Sequence, residues 1–288
     1  MLVGLVLAGL GGLACAAAQP VQVQVQVQVP SLEVPALAAV VLPGYWFAAA
    51  VAAPAPAIVL LHGCGGGLDG RGRLAPRYTE LAARLNVLGI HVLVTDSLSP
   101  RGETELCTQR VGQRRVTQLQ RRRDALGALR WLATQPGVDA RRLGLLGWSN
   151  GGSTVLAAIN RRHPEVAAAP VQAGLAVAFY PGCESELKRG FEPGAPLLML
   201  LAERDDWTPA APCKALARRA LGAAPPQWES YAEAYHGFDG TAPLRLRRDV
   251  PGGANPGQGV HVGREPAARA AAALRLQQFL QDQWSLPR

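Results

Sequence analysis

Short, almost unbroken apolar runs alternate with longer segments of helical apolar spacing from Pro35 to the end of the chain. The runs predict strands at Ala57–Leu61, Ile90–Thr95, Arg142–Gly147, Ala173–Tyr180 and Pro196–Leu201, with a weaker one at Gln227–Tyr231. Between them the spacing predicts helices over Arg77–Leu88, Gln118–Thr134, Asn150–Arg162, Ala211–Leu221 and Pro266–Gln283. Central strands that lack a polar face belong to a parallel sheet covered by helices on both sides. The alternation therefore predicts one doubly wound α/β domain over residues 35–288, with alanine-rich helices packing Leu and Trp into its core. Gly252–Gly263, rich in Gly with a Pro, reads as a surface loop before the last helix.

The beginning of the chain departs from this pattern. Met1–Ala18 is apolar and ends in an Ala-x-Ala step at Ala16–Ala18, the form of an export signal, although no Lys or Arg precedes the apolar run. A retained membrane anchor is the alternative, but the run is short and Gly-rich for a span, so no stable span is expected after processing. Leu13-Ala14-Cys15 also resembles a lipoprotein cleavage site, with Gly12 where Leu is usual, which makes Cys15 a candidate lipid anchor. Residues 19–34 contain VQVQVQVQV at Val21–Val29, which alternates like a strand with one apolar face. Placed between a cleavage site and Pro30, the segment reads instead as a poorly ordered, low-complexity leader.

A chain of 288 residues can bury one large core. Its formal charge of +8 raises the question of a nucleic-acid partner, but the arginines are scattered. The densest group, Arg121-Arg122-Arg123, opens a predicted helix without interleaved aromatics and reads as a solvated helix face, so no nucleic acid is expected. The basicity favours anionic substrates or surfaces. Beyond the signal, Cys64, Cys107, Cys183 and Cys213 remain, an even number compatible with disulfides in an exported protein. None has CxxC spacing, and no metal site is expected.

The candidate chemistry centres on Gly147-Trp148-Ser149-Asn150-Gly151, a G-x-S-x-G pattern that follows LGLLG and precedes STVLAAIN. A strand, a sharp turn and a helix in that order form a nucleophile elbow. Gly147 and Gly151 stand where strand and helix pass too closely for side chains, and the helix N-terminus offers free N–H groups to an anion. Ser149 needs a base. His91 lies in a strand, His163 in RRHPE reads as a capping or solvated residue, and His62 ends a strand where its backbone matters more than its ring. His236, in YAEAYHGFDG after the last strand, is the candidate base, with His261 in the Gly-rich loop as the alternative. The carboxylate that orients such a base is Asp205, just past a strand end in LLAERDDWTP, with Asp206 competing. The order Ser149, Asp205, His236 is the order of this fold class. The Gly-rich loop in IVLLHGCGGG places Cys64 N–H beside Asn150 N–H as an oxyanion hole, where Asn150 contributes its backbone rather than its side chain. A nucleotide-binding loop is disfavoured, because neither G-x-G-x-x-G nor a Walker lysine follows the first strand.

HGCGG, DSLSPRG from Asp96, GWSNGG, FYPGC, ERDDWTPAAPC and YHGFD together resemble the dienelactone hydrolase family of α/β hydrolases, in particular its exported members. The resemblance runs from Ala57 to the C-terminus and implies Ser149 as nucleophile, Asp205 as acid and His236 as base. The family's namesake uses a cysteine nucleophile and an acidic residue on the first catalytic loop. Here Ser149 and His62-Gly63-Cys64 stand at those places, which directs expectation towards general esters or lactones. On this fold Cys183 and Cys213 sit on neighbouring loops and are expected to pair, leaving Cys64 and Cys107 to pair or stay free. The implied activity needs no metal or organic cofactor and acts on a small-molecule ester or lactone, while the oligomeric state is left open. Two other readings are a peptidase related to the prolyl oligopeptidases, whose elbow is similar, and a non-catalytic binding protein on the same fold.

Overall fold

Ala55–Leu61 (β3) is buried at every position, and its side chains divide strictly between two cores. Ala57, Val59 and Leu61 point to one side of the sheet and Ile58 and Leu60 to the other. Such two-faced burial is what an apolar run without alternation requires. The structure, a computed structural model, describes residues 24–32, 40–52, 54–222 and 225–287. The expected signal segment with Cys15, and the leader apart from residues 24–32, lie outside the described residues.

The remaining strands of the main sheet are β1 (Gln24–Pro30), β2 (Val41–Phe47), β4 (His91–Thr95), β5 (Val138–Trp148), β6 (Leu175–Phe179), β7 (Leu197–Ala202) and β8 (Gln227–Tyr231). Their order is β1-β2-β4-β3-β5-β6-β7-β8; β2 runs antiparallel to both β1 and β4, and every other pairing is parallel. The helices are α1 (Pro76–Val87), α2 (Gln118–Leu132), α3 (Asn150–Ile159), α4 (Pro164–Ala167), α5 (Glu184–Arg189), α6 (Ala210–Arg219) and α7 (Pro266–Trp284). Helices α2, α3 and α6 cover one face, and α1 and α7 the other. This is the mostly parallel, doubly wound sheet of an α/β hydrolase. No helix among the described residues is long and apolar enough to cross a membrane.

Four expectations need correction. The leader reading fails for Gln24–Pro30, which is an edge strand: Val29 is fully buried and Val27 packs beside it on the α2 side, while Gln24, Gln26 and Gln28 face out. The alternation that suggested a simple repeat supplies the one apolar face an edge strand needs. Gly252–Gly263 is not wholly loop, because Val260–Val262 (β10) pairs antiparallel with Arg245–Arg247 (β9). The arginine run is not a solvated face: Arg121 is buried at 1% exposure and Arg122 at 8%, and both Arg122 and Arg123 bind Glu165. His163 does cap α4, its carbonyl accepting from Val166 and Ala167 N–H, but it is buried rather than solvated, its Nε2 3.0 Å from Glu186.

Docking of β1 depends on glycines that accept close contact. A Cβ on Gly127 of α2 would lie 2.2 Å from Pro30 O, and one on Gly44 of β2 would meet the methyl groups of Val27 and Val29 at 2.9 and 2.8 Å. In an open helix, Gly127→Ala would gain about 1 kcal/mol. Here it is expected to cost about 1–3 kcal/mol by forcing the strand off the helix. Thermal unfolding and proteolytic cleavage within residues 24–32 measure this, and a stabilised, equally protected variant contradicts the close docking.

Candidate active site

Strand β5 delivers Ser149 to the carboxyl edge of the sheet with φ 53° and ψ −117°, a conformation rare for a residue with a side chain. The turn is held by Ser149 N–H donating to Phe179 O (2.9 Å) and by Ser153 N–H donating to Ser149 O (2.8 Å). Its glycines are obligatory. A Cβ on Gly147 would stand 2.3 Å from Gly151 O, and one on Gly151 would stand 2.1 Å from Leu61 O. The crowding expected of G-x-S-x-G is therefore present, and it extends to the neighbouring strand β3.

The structure brings Ser149, His236 and Asp205 together. His236 Nε2 lies 2.9 Å from Ser149 Oγ, and His236 Nδ1 lies 2.8 Å from Asp205 Oδ2. All three are buried. Asp205 Oδ1 accepts from the N–H groups of Trp207 (2.9 Å) and Thr208 (2.8 Å), and Thr208 Oγ1 lies 3.1 Å from Oδ2. These contacts fix the carboxylate plane against the imidazole. With Nδ1–H donated to Asp205, Nε2 is left to accept the serine proton. The ring is packed between Tyr180 and Trp207, at centroid separations of 4.6 and 4.7 Å. Tyr180 is held in turn by Asp239, whose Oδ1 accepts its hydroxyl at 2.6 Å and whose Oδ2 accepts Trp148 Nε1–H at 2.8 Å. Burial raises the Tyr180 phenol well above its ordinary value, so it stays a neutral donor.

The two alternatives, Asp206 and His261, are paired with each other and away from Ser149. His261 donates its backbone N–H to Asp206 Oδ1 at 2.8 Å, and its Nδ1 lies 2.7 Å from Oδ2. That pair ties the β9–β10 hairpin to the loop carrying Asp205, and Gly263 N–H donates to His236 O at 3.0 Å.

The Gly-rich loop after β3 lies against the serine: a Cβ on Gly63 would be 3.7 Å from Ser149 Cβ. His62 is fully buried, and its ring does more than the expectation allowed. Its Nδ1–H donates to Gly63 O at 2.7 Å, on the same peptide unit as Cys64 N–H, while Nε2 accepts Ser97 N–H at 3.2 Å. Burial, followed by the Arg121 guanidinium, pushes the His62 pKa down to about 3, consistent with a neutral ring. Asn150 also departs from expectation, because its side-chain oxygen accepts from Arg121 Nη1. Both cysteine pairs are disulfides, Cys64–Cys107 and Cys183–Cys213, each with Cα atoms 5.0 Å apart. The first anchors Cys64 to the loop before α2, and the second joins the loop after β6 to α6. Of the supporting residues, Thr208, Tyr180, Trp207, Asp239 and Arg121 escape a sequence reading, although all but Arg121 lie within three residues of a predicted element of the site or, for Tyr180, at a strand end.

Among the described residues no group of three or more His, Cys, Asp or Glu is arranged to hold a metal ion. A cavity of about 990 Å³ lies between α1 and α7, lined by Leu81, Trp148, Phe179 and Leu276 among others, but Ser149, Asp205 and His236 do not line it. It adjoins the site through Trp148, Gly237 and Asp239.

A model of the dienelactone hydrolase family matches residues 42–283. No curated protein matches the chain in sequence. The carboxylesterase Cest-2923 from Lactobacillus plantarum WCFS1 superposes with a TM-score of 0.62 at 16% identity, over 92% of this chain and 99% of its own. A dienelactone hydrolase-like promiscuous phosphotriesterase, P91, from metagenomic libraries gives 0.60 at 17% identity, over 92% and 99%. Thermogutta terrifontis esterase 2 phosphorylated by paraoxon gives 0.58 at 17% identity, over 96% and 100%. At these identities the superpositions establish a shared fold.

Two measurements follow from this geometry. Peptide mapping of unreduced protein is expected to find Cys64 linked to Cys107 and Cys183 to Cys213, and free thiols at these four positions contradict it. For His62, the folded value lies below the ordinary value of about 6.5, so its stabilising effect is complete above about 6.5 and is lost as pH falls towards about 3. Over that window His62→Gln is expected to reduce the acid slope of unfolding free energy by about 1.4 kcal/mol per pH unit. Parallel pH–stability profiles for the two proteins would show that His62 is not buried neutral.

Proposed function

Because the chain belongs to the dienelactone hydrolase family, we propose that it hydrolyses small-molecule carboxylic esters or lactones through an acyl-enzyme on Ser149. The observation that carries this reading is the unbroken chain of contacts from Ser149 Oγ to His236 Nε2 and from His236 Nδ1 to Asp205 Oδ2, at 2.9 and 2.8 Å. Those distances let His236 accept the serine proton as Oγ attacks the ester carbonyl. Asp205 keeps the imidazole in the tautomer that can accept it, and stabilises the imidazolium that results.

The tetrahedral intermediate places its negative oxygen between Cys64 N–H and Asn150 N–H. Asn150 opens α3, where backbone N–H groups have no intrahelical acceptor and the helix dipole favours an anion. Removing one such donor costs on the order of 3–4 kcal/mol of transition-state stabilisation. His236 then protonates the departing alkoxide. Water attacks the acyl carbon as its proton passes to Nε2, the acyl–Oγ bond breaks, and His236 returns the proton to Ser149 Oγ as the acid product leaves. In a lactone the leaving alcohol stays tethered to the acyl group, and the same steps open the ring. Elbow glycines Gly147 and Gly151 serve the geometry alone. The two disulfides support an exported protein, since such bonds persist in oxidising compartments.

Turnover of short p-nitrophenyl esters tests the roles. Ser149→Ala and His236→Ala are each expected to lower kcat on the order of 10⁶-fold, and Asp205→Asn roughly 10⁴-fold. Mass spectrometry after a slow ester is expected to find the acyl group on Ser149. Equal turnover by wild type and Ser149→Ala would remove the assignment.

A further inference from the structure

The guanidinium of Arg121 is buried at 1% exposure directly behind the loops that carry both oxyanion donors. Thr117 and Gln120 cap the start of α2, so Arg121 leaves its first turn, from where the side chain reaches under the elbow. Nη2 donates to His62 O at 2.6 Å, and Nη1 donates to the side-chain oxygen of Asn150. From the same helix turn, Gln118 Nε2 donates to Asn150 O at 3.1 Å.

What holds this cation is unusual: both acceptors are neutral oxygens. The nearest carboxylates are engaged elsewhere. Asp124 is gripped by Arg101 through two 2.8 Å bonds and by Ser31 Oγ, and Asp96 accepts from Leu98 N–H, Ser99 N–H and the Ser99 hydroxyl. Arg121 Nε is buried without an acceptor among the described residues. No carboxylate hydrogen-bonds Arg121, although Asp124 and Asp96 act on it electrostatically; a buried cation whose direct acceptors are neutral keeps part of its field for a neighbouring anion.

We propose that Arg121 is a positioning residue of the oxyanion hole. It clamps the His62-Gly63-Cys64 loop to Asn150, fixing the gap between the two N–H donors, and it sets behind them a positive charge that favours the oxyanion. The inference rests on the triad reading above. Arg121 touches neither substrate nor Ser149; it acts through the His62 carbonyl and the Asn150 amide.

The test compares wild type, Arg121→Met, Arg121→Lys and Asn150→Ala in p-nitrophenyl butyrate turnover and in inhibition by n-butylboronic acid, which forms a tetrahedral anion on a serine. Thermal unfolding is followed in parallel. Arg121→Met is expected to lower kcat by roughly 10²- to 10³-fold, as does loss of an oxyanion donor. Boronate affinity falls by a similar factor, while KM stays within about threefold, because the effect is confined to the tetrahedral anion. Arg121→Lys keeps the charge without the two-pronged grip and recovers part of the loss. Asn150→Ala removes one end of the clamp and keeps the backbone N–H, so kcat and boronate affinity fall together by at least about tenfold, on the order of a lost charge-assisted hydrogen bond. That variant decides the matter where Arg121→Met does not fold. Folded variants with wild-type kcat and boronate affinity overturn the inference alone. A wild type that neither turns over the ester nor binds the boronate overturns the triad reading and this inference with it.

Discussion

The site depends on one contact between backbones: the first turn of α3 lies on the end of β3 with no space for a side chain between them. A Cβ on Gly151 would overlap Leu61 O at 2.1 Å, so the helix start and the strand end are locked together. The parallel register does the rest. Leu61 pairs with Gly147, Trp148 with Phe179, and Phe179 with Leu200, so β3, β5, β6 and β7 end at one edge. The residues that follow them, His62, Ser149, Tyr180 and the loop of Asp205, converge there. Open α/β sheets place ligand sites at this carboxyl edge. Ser149 sits in a strained backbone region, at a cost of order 1–3 kcal/mol. The buried strands on both sides, and the bond from Ser149 N–H to Phe179 O, hold it there.

Around that edge the buried and half-buried carboxylates are well provided with donors. Asp205 has two backbone N–H groups and His236, Asp239 has Trp148 and Tyr180, and Asp124 has Arg101 and Ser31. Networks of this kind lock side-chain orientation, because any rotation leaves a buried polar group unpaired. Against this background Arg121 is the exception, a cation whose partners are a carbonyl and an amide. The carboxylates Asp124 and Asp96 act on it electrostatically, but its own hydrogen bonds go to neutral oxygens of the two loops that flank Ser149.

Much of this was legible in the chain. Strands such as Leu197–Ala202 and helices such as Pro266–Trp284 appear where period and length place them, because both faces of the central sheet are buried. The elbow was legible because its two glycines answer a steric demand within five residues. Asp205 and Asp206 were harder to separate, since adjacent residues differ only in which way the loop turns them; the backbone donors of Trp207 and Thr208 turn Asp205 to His236, while Asp206 meets His261. The strand Val41–Phe47 went unseen because Pro43-Gly44 interrupts its pattern, yet Gly44 is there to receive Val27 and Val29. Arg121-Arg122-Arg123 misled for a different reason. A run of like charges signals solvent only where no buried acceptors await it, and acceptors contributed by Glu165, His62 and Asn150 lie far away in sequence.

The disulfides act on what the sheet leaves loose. Cys64 is beyond the last ladder bond of β3, and its loop is also tied by Leu106 N–H to Cys64 O at 2.7 Å, by a turn from Gly66 N–H to Gly63 O, and by the His62 ring on Gly63 O. Closing loops of 43 and 30 residues removes roughly 4 kcal/mol of unfolded-chain entropy in each case, more than the strain at Ser149. The core clusters around β3 and β5 contain neither Cys64 nor Cys107, which belong to a separate small cluster with Leu98, Leu106 and Val116. Loss of the Cys64–Cys107 bond therefore loosens the loop holding Cys64 N–H, a donor of the proposed oxyanion hole, before it threatens the sheet. A site built in this way depends on an oxidising surrounding more than the fold does, which is the physical link between the export reading and the chemistry proposed for Ser149.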